Sequence, residues 1–219
     1  NLLILDDGVF GWKAHGYELF DGINIPSKAF GEWIEEVYKT PHIKPLELEK
    51  KIQNNKNLLI LDGRTIEEFR KMNIPSAINC PNMEMPVRIM NEINESTEII
   101  VGCAGRTRSI IGTQNLINYG IKNSVKALEN GTQGWFLANL KLENNQNRRL
   151  SFSKLTLNKD FKKKSNLLIK KFNLKKINFT ETIQFLNKKN FTTYVFNVTE
   201  PHEISSTSLK VVKNVPGGQ

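Results

Sequence analysis

Cysteine is almost missing from this sequence: Cys80 and Cys103 are the whole supply in 219 residues. That excludes a disulfide framework as the source of stability, and it points to a reducing, cytoplasmic compartment. Histidine is nearly as scarce, and His15, His42 and His202 are scattered without ligand spacing. No metal, no cofactor and no histidine base are therefore expected. No run of about eighteen apolar residues occurs, so neither a membrane span nor a membrane partner is expected. Acidic residues are outnumbered by basic ones, 22 against 31, for a net charge of +9. The lysines, however, are spread with Asn and Ile over the whole chain and are not interleaved with aromatics on one stripe, so no nucleic-acid partner is expected either. What the chain does have is 39% hydrophobic residues, enough for a real core.

The most informative stretch is 99–119, IIVGCAGRTRSIIGTQNLINY. A β-branched apolar run stops at Gly102, a loop from Cys103 to Ser109 follows, and a helix-period segment begins directly behind it. Strand, loop and helix in that order aim loop N–H groups and the positive end of a helix dipole at the cysteine. Neighbouring arginines and helix N-termini favour thiolate, which makes Cys103 the candidate nucleophile. The bland alternative is an inert cysteine at a strand end. Two arginines and a glycine beside it make a poor core and a good anion cradle, which favours the reactive reading.

The loop CAGRTRS resembles the active-site loop of the rhodanese family. Two further blocks carry the same resemblance: Asp62-Gly63-Arg64-Thr65-Ile66-Glu67-Glu68-Phe69 followed by Ile74-Pro75-Ser76-Ala77-Ile78-Asn79, and Gly131-Thr132-Gln133-Gly134-Trp135. One departure is Met72-Asn73, where the family usually has Gly-His before the Ile-Pro. The resemblance is to an internal domain of a multi-rhodanese sulfurtransferase. It implies an enzyme whose cysteine takes a sulfane sulfur from a small anionic donor such as thiosulfate. The sulfur is then held as a Cys103 persulfide and handed to cyanide or a thiol.

On that reading the N–H groups of Ala104, Gly105, Arg106, Thr107, Arg108 and Ser109 hold the persulfide, while Arg106 and Arg108 attract the donor. Gly105 lets the backbone approach closely. Thr107 and Ser109 add hydroxyl donors, although Ser109 is equally well explained as a helix cap. Asp62 and Arg64, at the carboxyl end of a strand where α/β sheets keep their ligands, either contact substrate or pair with each other. Two competing readings remain. A cysteine phosphatase would place five residues between its Cys and its Arg, whereas four separate Cys103 from Arg108. A non-catalytic rhodanese-like scaffold suits any copy of the domain that lacks the cysteine.

Along the chain, a lead-in helix is expected over 23–39, with a Ser27 cap, a stop at Pro41 and an apolar stripe of Phe30, Trp33, Ile34 and Val37. Trp33 is expected to dock on the domain core. A helix over 45–54, a buried strand over 57–61, a capping box at Thr65 and Glu68, a strand over 77–80 and a helix over 83–94 with Pro86 in its first turns come next. After the central stretch, Gly120 stops the helix, a strand covers 124–128, and 131–140 closes the domain on Trp135. Strands alternating with helices dictate an α/β fold with a mainly parallel central sheet flanked by helices.

Internal offsets add an organisation. Gly8, Gly11 and Trp12 align with Gly131, Gly134 and Trp135 at a constant offset of 123 residues. A second constant offset, 135 residues, aligns Asn197 with Asp62, Thr199 with Arg64 and Pro216 with Pro81. The expectation is the tail of a preceding rhodanese copy over 1–22, a complete domain over 23–143, a linker over 144–164 and a truncated further copy over 165–219.

Overall fold

The computed structural model describes residues 3–17, 25–54, 57–150, 159–198 and 211–215. The expected start of the lead-in helix at residue 23, and the readings of Thr199, His202 and Pro216, lie outside the described residues.

The centre of the molecule is a five-stranded sheet in the order β1-β5-β4-β2-β3, parallel throughout. Its strands are β1 (His42–Ile43), β2 (Leu58–Asp62), β3 (Ile78–Asn79), β4 (Glu98–Gly102) and β5 (Val125–Leu128). β1 is a strand the apolar pattern did not reveal, because two residues cannot show an alternation. The central strands read as unbroken apolar runs because both faces of the sheet are covered. Leu59, Leu61, Ile99 and Val101 enter one core with Met85, Ile89 and Leu116, while Ile60 and Ile100 enter the other with Phe69, Leu128 and Trp135.

Helices cover the two faces. They are α2 (Ile25–Tyr38), α3 (Pro45–Asn54), α4 (Ile66–Lys71), α5 (Met85–Arg88), α6 (Thr107–Tyr119) and α7 (Gly131–Leu137); α1 (Gly8–Ala14) precedes them. The capping box forms as the sequence requires, with Thr65 accepting from the Glu68 N–H and Glu68 from the Thr65 N–H. The helix expected over 83–94 is shorter, a single α turn followed by a 3-10 turn at Ile89–Asn91.

Two expectations are corrected. Trp33 does not dock on the core: it stacks on Phe30 at 5.9 Å, and both rings are half-exposed. Instead α2 meets α6 through Gly31, where an added Cβ would stand 2.8 Å from Thr107 Cγ2. Helices that approach this closely do so through the residue with no side chain, so the aromatic stripe is turned outward.

The segment after 143 is not a free linker over its first seven residues. It runs along β3 as a strap, with the Asn79 N–H donating to Arg148 O at 2.9 Å and the Leu150 N–H to Asn79 O at 3.1 Å. Leu150 is buried in the core, and Arg88 donates to its carbonyl at 2.6 Å. An unbroken polar run from Asn144 to Arg149 concealed this strap, because it is held by hydrogen bonds and one apolar anchor, Leu150.

Beyond it lie α8 (Lys159–Lys171), α9 (Phe179–Leu186) and a separate parallel pair, β6 (Val195–Asn197) and β7 (Val212–Asn214). Lys164 of α8 sits over the Tyr119 ring at the end of α6, 4.9 Å from its centroid. Among the described residues no helix is long and apolar enough to cross a membrane.

Candidate active site

The carboxyl end of β4 delivers Cys103 into a cavity of about 470 Å³, at the place where the loop turns into α6. Cys103, Ala104, Gly105, Arg106, Thr107 and Arg108 all line that cavity, and the thiol-bearing residue is only 2% exposed. Strand end and helix start therefore bring six of the nine expected site residues together.

How the loop is held explains which of its groups remain available. The Thr132 N–H donates to Cys103 O at 2.8 Å and the Gln133 N–H to Ala104 O at 3.0 Å, both from the first turn of α7. Ser109 Oγ donates to Arg106 O at 2.7 Å. A trans peptide points its carbonyl and the following N–H in opposite directions. With three carbonyls tied down, the N–H groups of Ala104, Gly105 and Thr107 are turned to the other side of the loop. No acceptor among the described residues takes the N–H groups of residues 104–109, as expected where a helix begins without a side-chain cap.

The glycine that this arrangement requires is Gly131. At φ +52, a Cβ there would stand 2.1 Å from Cys103 O and 2.8 Å from its carbonyl carbon. Gly105 is under no such demand, since its Cβ would meet only Gln133 Oε1 at 3.5 Å. The tightest backbone approach to the loop is thus made from behind it, at Gly131. Gly131 stood in the quoted Gly-Thr-Gln-Gly-Trp block, but its distance from the cysteine in sequence hid the contact.

Three expected residues are not in the cavity. Asp62 and Arg64 are 2% and 3% exposed and pair with each other, Arg64 Nη2 to Asp62 Oδ2 at 2.7 Å and Arg64 Nε to Oδ1 at 2.9 Å. The turn at Gly63 folds the guanidinium back onto the carboxylate of its own strand, and Arg64 also donates to Met72 O at 2.6 Å. They brace the loop that carries the Met72-Asn73 departure. Asn73 is fully buried there, donating from its side chain to Phe69 O at 3.0 Å. Ser109 is likewise buried, and its hydroxyl is used on Arg106 O.

Both loop arginines reach the cavity already paired. Arg108 makes a two-pronged bridge to Glu68, Nη1 to Oε2 and Nη2 to Oε1, both at 2.8 Å. That bridge, above all, holds the Glu68 carboxyl below the usual carboxylate range, against the opposing effect of burial, and raises Arg108 in turn. Arg106 is clamped by α2, with its Nε 3.0 Å from Glu32 Oε1 and its Nη2 on Glu35 Oε2. Composition and spacing missed Glu68 as a cavity residue, as they did Ser27, Lys28, Ile111 and Gln133. All five lie outside the loop of Cys103 to Ser109, and a capping box had already accounted for Glu68.

Cys80 takes no part. It is fully buried, and desolvation pushes its thiol up to about 12.

Comparison with known proteins agrees with this fold. Residues 44–138 match the model of the rhodanese-like domain. The chain is 31% identical over 101 residues to the putative sulfur carrier protein YrkF of Bacillus subtilis (strain 168), covering 46% of this chain and 54% of that one. Its structure superposes on the crystal structure of thiosulfate sulfurtransferase from Pseudomonas aeruginosa with a TM-score of 0.82 and 37% identity, over 97% of this chain and 41% of that one. The chain thus spans about half the length, or less, of the relatives it matches. With strands β2 to β5 of the parallel sheet and the cysteine loop at the β4–α6 junction inside the family match, residues 44–138 of this chain belong to the rhodanese-like domain family.

Proposed function

We propose that this chain transfers sulfane sulfur through a persulfide on Cys103. In the first half-reaction the Cys103 thiolate attacks the outer sulfur of thiosulfate. A new S–S bond forms, and the old one breaks with its electron pair leaving on sulfite. In the second, cyanide or a thiolate attacks the terminal sulfur of the persulfide, and Cys103 departs as thiolate. The observation that carries this reading is the loop itself: carbonyls tied from behind, N–H groups of 104–109 with no acceptor among the described residues, and the cysteine in the cavity that the loop lines. Such N–H groups stabilise a sulfur anion before and after transfer. Two free cysteines support a reducing, cytoplasmic setting.

The proposal extends to the flanks as partial copies of the same domain. α1 spans the same seven positions as α7 at the 123 offset, with Gly8, Gly11 and Trp12 against Gly131, Gly134 and Trp135 and left-handed Asp7 and Gly8 against Asn130 and Gly131. At the 135 offset, the pairing of Asn197 with Asn214 repeats that of Asp62 with Asn79. Asn197 in place of Asp62 removes the sheet-edge ion pair from the later copy, which favours a supporting role there.

The test is mass spectrometry of the protein after thiosulfate treatment. A gain of one sulfur atom, cleared by cyanide and absent from Cys103→Ala, is expected. A Cys103→Ala protein that still transfers sulfur, or turnover of an aryl phosphate in its place, overturns the reading.

A further inference from the structure

We infer that helix α2 is a wall of this site and that its Lys28 is the residue that binds the anionic donor; this rests on the persulfide cycle above. The face of α2 turned to the loop is Lys28, Gly31, Glu32 and Glu35, spaced i, i+3, i+4 and i+7. Gly31 brings the helix against Thr107, where a Cβ would stand 3.2 Å from the Thr107 Cα. Glu32 and Glu35 hold Arg106. One turn earlier, Ser27 and Lys28 enter the wall of the Cys103 cavity.

Charge decides which cation is available. Arg108 faces the cavity together with Glu68, its carboxylate partner, so drawing the arginine onto a dianion would leave that carboxylate facing the same anion. Arg106 is tied to two carboxylates of α2. Lys28 is exposed on the cavity wall, and no carboxylate among the described residues pairs with it. A compact, flexible ammonium with no carboxylate partner among the described residues meets a doubly charged donor without first breaking any of the ion pairs described above. Arg106 is then a positioning residue, whose clamp fixes α2 and with it the reach of Lys28.

The experiment compares thiosulfate, a dianion, with an alkanethiosulfonate, a monoanion that yields its outer sulfur in the same way and releases sulfinate. For Lys28→Ala, KM for thiosulfate is expected to rise roughly fivefold, more for Lys28→Glu, and to recover in Lys28→Arg. The rise for thiosulfonate is expected to be smaller, and added salt narrows the gap between wild type and Lys28→Ala. Sulfur still loads onto Cys103 at saturating donor in all three variants, which separates this assignment from the cycle beneath it. If wild type loads sulfur and Lys28→Ala and Lys28→Glu keep the wild-type KM for thiosulfate, the Lys28 assignment falls while the persulfide reading stands. If wild type takes up no sulfur, both fall.

Discussion

Gly131→Ala is the substitution that separates the loop architecture described above from a looser one. The new Cβ would stand 2.1 Å from Cys103 O, 2.8 Å from the Cys103 carbonyl carbon and 2.9 Å from the Ala104 carbonyl carbon. All three are backbone atoms of the active loop, so no flexible side chain can swing aside. Alanine at φ +52 costs about 1–2 kcal/mol for its left-handed backbone. Forcing a methyl group into packed backbone adds about 1–3 kcal/mol. The expected loss is therefore about 2–5 kcal/mol, read as a lower midpoint in urea unfolding. Sulfur transfer should fall as well, because the Thr132 and Gln133 N–H groups that tie Cys103 O and Ala104 O begin at the next residue. Gly105→Ala is the control: its Cβ meets only Gln133 Oε1 at 3.5 Å, so stability should stay within about 0.5 kcal/mol. A Gly131→Ala protein with wild-type midpoint and wild-type turnover would refute the account of the loop.

The Glu68–Arg108 bridge has a pH signature. Because Glu68 is held below its ordinary value of 4.5, the bridge contributes fully at neutral pH and its contribution is lost as pH falls through the lower folded value. The stability gap between wild type and Glu68→Gln should thus be flat near neutrality and shrink below about pH 4.5; a gap that does not change on acidification would contradict this. Cys80, with its thiol pushed up to about 12, should escape iodoacetamide in the native protein at mildly alkaline pH, and Cys80→Ala should keep sulfur transfer. Peptide mapping that finds Cys80 modified in folded protein would count against its burial. Leu150→Ala should cost about 2–4 kcal/mol, as a core leucine does. A neutral result would restore residues 144–150 to the status of linker.

Much of this fold lies in its sequence because its elements obey local rules. The apolar runs at 58–61 and 99–101 are covered on both faces of the sheet, Thr65 and Glu68 cap α4 reciprocally, and Gly120 ends α6 at φ +87. What stayed hidden depends on contacts between distant residues. A stripe at 30, 33, 34 and 37 is the stronger hydrophobic signal on α2, yet the helix packs through the neighbouring face because Gly31 allows a closer approach there. In the site, the cysteine loop could be read directly, but the partners of its arginines could not. Glu32, Glu35 and Glu68 lie on other helices, and only the assembled sheet brings them to the loop. Asp62 and Arg64 show the converse. A charged pair at a strand's carboxyl end can serve a ligand or serve itself, and their two-residue separation lets it serve itself.

The proposed copies bear on where the loop's support is encoded. Asp7 and Gly8 take left-handed φ values of 53 and 55, as Asn130 and Gly131 do at 57 and 52, and each pair opens a seven-residue helix. Around Gly131 that conformation is enforced by a loop carbonyl 2.1 Å from its virtual Cβ, whereas a Cβ on Gly8 would meet nothing within 4 Å among the described residues. The same backbone conformation thus recurs at both places. What the two turns share is internal: Gly11 and Gly134 sit where a Cβ would strike the preceding carbonyls of Asp6 and Glu129, at 2.4 and 2.7 Å. A short polar residue, two glycines and a helix start are what the two turns have in common. The active loop of Cys103 is then laid onto a support that local sequence has already shaped, which is the preorganisation that a site stabilising charge with backbone N–H groups requires.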